Sequence, residues 1–220
     1  VLDFDIENRP LSYWAPDMPT ADITSIASAW RGDHDSMQVS LLAPPCWHKG
    51  HEEHCPDMPD FLVSTKVMLQ RFVDRFDEAD MITGHYIRKH DLPIINGMLY
   101  DEGMKLLSPK LTSDTKLDMM KKADIPATQE FILELLDPQC PIGIPLIKYH
   151  MSQRTWREAN RLTRKGVEQT RIRVQNDVHA HEHMRDEMMA RGMLREPKMW
   201  RPGGGPSGVG TSRGTSSEAK

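Results

Sequence analysis

Val1-Leu2-Asp3-Phe4-Asp5-Ile6-Glu7-Asn8 opens the chain, and its alternation decides how everything after it is read. Leu2, Phe4 and Ile6 alternate with Asp3, Asp5 and Glu7. That is the period of a strand with one apolar and one acidic face. Carboxylates two residues apart on a strand, as Asp5 and Glu7 are, repel one another with no packing gain. A cation over the pair would justify the arrangement. The plainer reading is an edge strand whose acids face water, so the choice depends on the rest of the chain.

Beyond the turn at Asn8-Arg9-Pro10, Leu11–Trp14 suggests a second strand, Asp22–Trp30 a third and Met37–Leu42 a fourth, an antiparallel meander. Phe61, Met68, Leu69, Phe72, Val73 and Phe76 recur at helical spacing between Asp60 and Asp80. Met81–Gly84 reads as a short buried strand, and Lys105–Pro109 as another. Asp91 precedes Leu92-Pro93, and proline favours a first helical turn, which places Asp91 at or near a helix N-terminus. Ser113-Asp114-Thr115 can cap the next segment, Thr128–Leu136 looks helical, and a last helix spans about Val167–Arg191, ending at Gly192. Strands first, then helix, strand, helix and a long closing helix, predict one α/β domain with a mixed sheet. The domain is expected to run over 1–195, with an insertion at 44–59. The Gly/Ser-rich 196–220 stretch reads as a flexible tail.

Composition narrows the function classes. The chain has 220 residues and is 38% hydrophobic, enough for one core of ordinary size. With a net charge of −4, it shows no global basicity of the kind that marks many nucleic-acid binders. Any such binding must use a local patch, and one exists: Arg154, Arg157, Arg161, Arg164, Lys165 and Arg173 stand close together with few acids among them. Such runs are usually solvated helix faces, but this one is also the best candidate for phosphate contacts. Three scattered cysteines point to a reducing compartment rather than a disulfide framework, and no apolar run approaches membrane-spanning length. Cys46, His48, His51, His54 and Cys55 crowd into ten residues and resemble a small zinc site. Their spacing matches no standard zinc pattern, and a polar surface loop is the alternative.

Carboxylates recur in three separated segments: Asp5 and Glu7 on the opening strand, Asp91 closing Gly84-His85-Tyr86-Ile87-Arg88-Lys89-His90-Asp91-Leu92-Pro93, and Asp177 in Asn176-Asp177-Val178 on the last helix. In this order they resemble the DnaQ-like (DEDD) 3′–5′ exonucleases of the ribonuclease H-like superfamily. The resemblance runs from Val1 to about Leu194. It implies a ribonuclease H-like mixed sheet, antiparallel meander first and parallel strands after, flanked by helices. It further implies that Asp5, Glu7, Asp91 and Asp177 hold two Mg²⁺ or Mn²⁺ ions, one activating a water and the other stabilising the leaving 3′ oxygen. The implied partners are nucleic acid, above all single-stranded DNA 3′ ends, and a DNA polymerase, in replication or repair. The implied setting is the cytoplasm of a bacterial or phage-infected cell, with no membrane involved.

One departure stands out. The family places a Tyr four residues, or a His five residues, before the last Asp to orient the attacking water; here those positions hold Arg173 and Ile172. Neither abstracts a proton at neutral pH. His181, one helical turn beyond Asp177, could supply the role, or could be a packed histidine. His85, Tyr86 and His90 are further candidates. Two other readings stay open: a catalytically weakened nucleic-acid-binding module of the same fold, and a nuclease with endonucleolytic or RNA specificity.

Overall fold

β1 (Leu2–Arg9) is the central strand of a seven-stranded sheet in the computed structural model, which describes residues 1–9, 22–43, 59–120, 126–136 and 149–203. β2 (Asp22–Trp30) and β3 (Asp33–Leu42) continue from it as an antiparallel meander. On its other side β5 (Met81–Gly84) runs parallel to β1, and β6 (Lys110–Asp114) parallel to β5. Two short strands complete the order β4-β3-β2-β1-β5-β6-β7: β4 (Leu62–Val63), parallel to β3, and β7 (Lys198–Trp200), antiparallel to β6. The sheet is therefore mixed, meander first and parallel strands after, as in ribonuclease H-like α/β folds.

The alternation of β1 sorts the layers. Leu2, Phe4 and Ile6 lie in the main core with Met68, Leu69, Phe72 and Phe76 of α1 (Thr65–Glu78) and Leu92, Ile95 and Leu99 of α2 (Asp91–Asp101). The Phe4 and Phe72 rings sit 4.9 Å apart, and burying each such side chain is worth about 1.5–3 kcal/mol. The acidic face looks the other way, under the 27-residue helix α5 (Arg164–Ala190). There Asp3 pairs across the sheet with Ala29 and Asp5 with Ala27, and Val174 and Val178 of α5 pack on those two alanines. Small β2 side chains let α5 lie close enough to bring its polar groups onto the acids. α3 (Gln129–Leu136) packs on the second half of α5 through Ile132, Leu133 and Leu136 against Ala180, Met184 and Met188.

α4 (Gln153–Asn160) meets α5 backbone to backbone: a Cβ at Gly166 would fall 2.2 Å from the Glu158 carbonyl carbon. The last helix starts at Arg164, earlier than its apolar pattern suggests, because the Thr163 hydroxyl accepts the Gly166 N–H at 3.1 Å and caps it. It stops where expected, at Gly192 with φ 65°.

Three sequence expectations shift. Phe61 is not on α1; its carbonyl accepts the Leu41 N–H at 2.7 Å, and Ser64 caps the helix a few residues later. The strand expected at Lys105–Pro109 lies at Lys110–Asp114, since the Leu107 N–H is taken by the Asn96 side chain rather than by a neighbouring strand. Within the stretch assigned to a tail, Lys198–Trp200 adds a strand, its Lys198 carbonyl accepting the Thr112 hydroxyl and Trp200 reaching the core. The strand expected at 11–14 and the Cys46, His48, His51, His54, Cys55 cluster lie outside the described residues. None of the described helices is long and apolar enough to cross a membrane.

Candidate metal centre

Asp5 and Glu7 lie toward the carboxyl end of β1, and the chain leaves the parallel strand β5 at Gly84, beside Phe4. A Cβ at Gly84 would stand 2.9 Å from the Phe4 carbonyl and 2.3 Å from Ile87, so only glycine lets the next loop turn so tightly. Open α/β sheets bind ligands outside the carboxyl ends of their strands, and the acids sit there.

From the helix side Asp177, 3% exposed, reaches down onto the pair. One carboxylate oxygen each from Asp5, Glu7 and Asp177 lies within 4.8 Å of the others, close enough to share a metal ion. Two like charges at 4.8 Å repel by about 3.5 kcal/mol at an effective dielectric of ~20. Three carboxylates so placed need positive charge, and all-oxygen donors suit hard divalent cations such as Mg²⁺ or Mn²⁺.

Some of that charge comes from the chain. Arg173 ion-pairs through Nε with Glu7 and lies 3.5 Å from Asp177 through Nη2. It donates to the Tyr149 carbonyl at 2.7 Å, and its guanidinium covers the Trp156 ring of α4 at 5.0 Å. Burial opposes its charge, but Glu7, Asp177 and Asp5 outweigh that and hold its pKa above the ordinary value.

Asp91 is not part of the three-carboxylate group. It is buried at the first position of α2, with His90 Nδ1 3.6 Å away. The adjacent Asp91 carboxylate is the main cause raising the His90 pKa; burial works against it, and the field of Glu7 adds to the rise. His90 thus feels both Asp91 beside it and Glu7 of β1.

The loop that delivers Asp91 is held by Asp114, whose fully buried carboxylate accepts N–H groups of Tyr86, Arg88, Lys116 and Leu117 at 3.0–3.1 Å. Tyr86 sits at φ 73°, a conformation costing about 1–2 kcal/mol that those bonds offset. Its ring lies under Lys116 Nζ at 3.9 Å, and His85 Nδ1 contacts the Thr115 hydroxyl at 3.0 Å. Arg88 reaches on to Asp118 at 2.5 Å. Asp118 was invisible as a site-shaping residue in the sequence, which offered Ser113-Asp114-Thr115 as the cap of the next segment.

His181 turns to Asp3 instead of the cluster. Its Nδ1 stands 2.9 Å from Asp3 Oδ1, and both side chains are almost wholly buried. The water-orienting role considered for His181 gains no support from this placement, one turn beyond Asp177 over a different carboxylate. Asp3 itself shares the acidic alternation of β1, the signal that could have marked it.

In the basic patch, Arg154, Arg157, Arg161, Arg164 and Lys165 are all exposed on α4, its connection and the first turn of α5, while Arg173 points inward to the acids. Arg9 ties this region to β1, ion-pairing with Asp22 at 2.5 Å and donating to the Asn160 carbonyl at 3.0 Å.

No known family model matches the sequence, and no curated protein does. Among solved structures, the family B DNA polymerase of the hyperthermophilic archaeon Pyrobaculum calidifontis is similar, with a TM-score of 0.52 at 16% identity over 86% of this chain. The match spans 24% of the polymerase chain. At that identity the likeness establishes the fold class alone.

Proposed function

We propose that this protein is a two-metal-ion 3′–5′ exonuclease of the DnaQ-like kind, hydrolysing phosphodiester bonds at nucleic-acid 3′ ends, with DNA as the preferred substrate in replication or repair. The observation that carries this reading is the meeting of Asp5 and Glu7 with Asp177 within 4.8 Å, although Glu7 and Asp177 are 170 residues apart in sequence. Asp5, Glu7 and Asp177, with Asp91 from the N-terminus of α2, would hold the ions. A bound pair of Mg²⁺ or Mn²⁺ supplies an activated water and charge stabilisation for the leaving oxygen.

The chain's own residues do the rest. Arg154, Arg157, Arg161, Arg164 and Lys165 lead the phosphate backbone toward the site. Arg173 contributes a fixed positive charge where relatives carry a Tyr or His, so its part is binding and neutralisation rather than proton abstraction. The packing of α5 on β1 and β2 and the Asp114-held loop keep Asp177 and Asp91 oriented.

A second reading rests on Arg173 as well: a guanidinium already paired with Glu7 and Asp177 competes with metal, as suits a nucleic-acid-binding module of weakened activity. One experiment separates the two. Single-stranded DNA labelled at its 5′ end is incubated with the protein in Mg²⁺ or Mn²⁺, and stepwise shortening of the labelled strand from its 3′ end is followed beside Asp5→Asn and Asp177→Asn variants. Metal-dependent shortening that both variants abolish supports the nuclease. Salt-sensitive binding with intact strands in either metal supports the binding module.

A further inference from the structure

We propose that His34, His179 and Glu182 form a second metal site, for a zinc-class divalent ion, clipping the β2–β3 turn to α5. One ligand atom from each of the three lies within 4.8 Å of the other two. His179 and Glu182 are three apart on α5 and so share a helix face, while His34 enters from the start of β3.

His34 Nδ1 and Glu182 Oε2 stand 3.7 Å apart. That is too long for a hydrogen bond. It is close to the ~3.4 Å that separates two ligands of a tetrahedral ion bonded at ~2.0–2.1 Å. The two imidazole centroids are 5.9 Å apart, and His179 Nδ1 is buried with no hydrogen-bond partner.

The supporting contacts a metal site needs are also present. Glu182 Oε1 accepts the Gly32 N–H at 2.8 Å, which orients the carboxylate and leaves Oε2 facing His34. Arg31 pairs with Asp186 and fastens the same turn one helical turn further along. His34 is half exposed, so an ion can enter.

The donor set separates this site from the acidic cluster. Two imidazole nitrogens and one carboxylate oxygen suit zinc and its neighbours, while Mg²⁺ prefers oxygen alone. Three protein ligands leave a fourth position for water. The ion would brace α5, which also carries Asp177, whether or not the protein is a nuclease.

The test uses full-length protein stripped with a chelator, then titrated with Zn²⁺ by calorimetry and with Co²⁺ by visible absorption. Because Cys46 and Cys55 could bind the same ions, wild type is compared with a C46S/C55S double variant and with H34A, H34A/H179A and E182Q. The expected result is one equivalent of Zn²⁺ bound by wild type and retained in C46S/C55S, with a nitrogen- and oxygen-type Co²⁺ spectrum. That equivalent should vanish in H34A/H179A. It should weaken at least ~10-fold in H34A and E182Q, the lower end of the cost of losing even an outer-shell partner. Replacing His34 removes an exposed side chain, so H34A remains informative if the double variant folds poorly. Absence of binding in wild type, loss of the equivalent in C46S/C55S, or its survival in H34A would each overturn the site.

Discussion

Arg173→Gln separates a chain that depends on its built-in cation from one that depends on metal. The guanidinium contacts Glu7 and Asp177, and all three side chains are only 4–12% exposed, so solvent screens the pairs little. Removing one partner of such a buried pair costs about 3–5 kcal/mol, because the charges left behind have no compensation. In a chain of this size each kcal/mol moves Tm by about 2–4 °C, giving a loss on the order of 10 °C. The measurement is thermal unfolding of wild type and R173Q, each in chelator and in Mn²⁺. In chelator R173Q should fall by that amount. In Mn²⁺ it should recover most of the loss and respond to metal more strongly than wild type, since the ion no longer competes with a fixed positive charge. A metal response in R173Q equal to or smaller than that of wild type would refute the competition and, with it, the use of the three acids as a shared cation site.

Neighbouring features carry their own expected outcomes. Gly166→Ala should destabilise the protein by more than the ~1–3 kcal/mol of ordinary overpacking, because the new Cβ meets α4 backbone at 2.2 Å; denaturant melts would read it, and a neutral result would mean α4 is not seated as described. Asp114→Ala leaves four N–H groups without their acceptor, two in the loop before Asp91 (Tyr86, Arg88) and two in the turn after β6 (Lys116, Leu117). It should lower stability by several kcal/mol and reduce metal affinity at the acids, which Mn²⁺ titration would detect. Asp3→Ala and His181→Ala each leave a buried partner unsatisfied, so the double variant should cost less than the sum by about 0.5–3 kcal/mol; strict additivity in the cycle would show the pair to be uncoupled.

What the sequence could reveal depended on how local the cause was. The two faces of β1 come from a period of two in six residues, and the end of α5 comes from Gly192, whose left-handed φ needs no tertiary information. Asp177 could be placed on an inner helix face for the same reason. β4 and β7 could not be read, because strands of two and three residues have no periodicity and exist only through partners on β3 and β6. The sequence showed Arg173 one turn from Asp177, but not that its Nε would land on Glu7, 166 residues away. The same limit hid His181 against Asp3 and His34 against His179. Each pairing joins helix α5 to a strand or turn near the other end of the chain, and no window of sequence contains both halves.

α5 is in effect a ruler about 40 Å long, on which every polar group is placed by angle as well as by height. Arg173 and Asp177 fall at the mark over Glu7, His181 over Asp3, and His179 and Glu182 on the flank facing the β2–β3 turn. A single residue inserted after Asp177 would rotate everything downstream by about 100°, parting His181 from Asp3 and Glu182 from Gly32 together. A change of length is therefore expected to be tolerated only at the two tips of that helix, while its middle should admit substitution but no change in count.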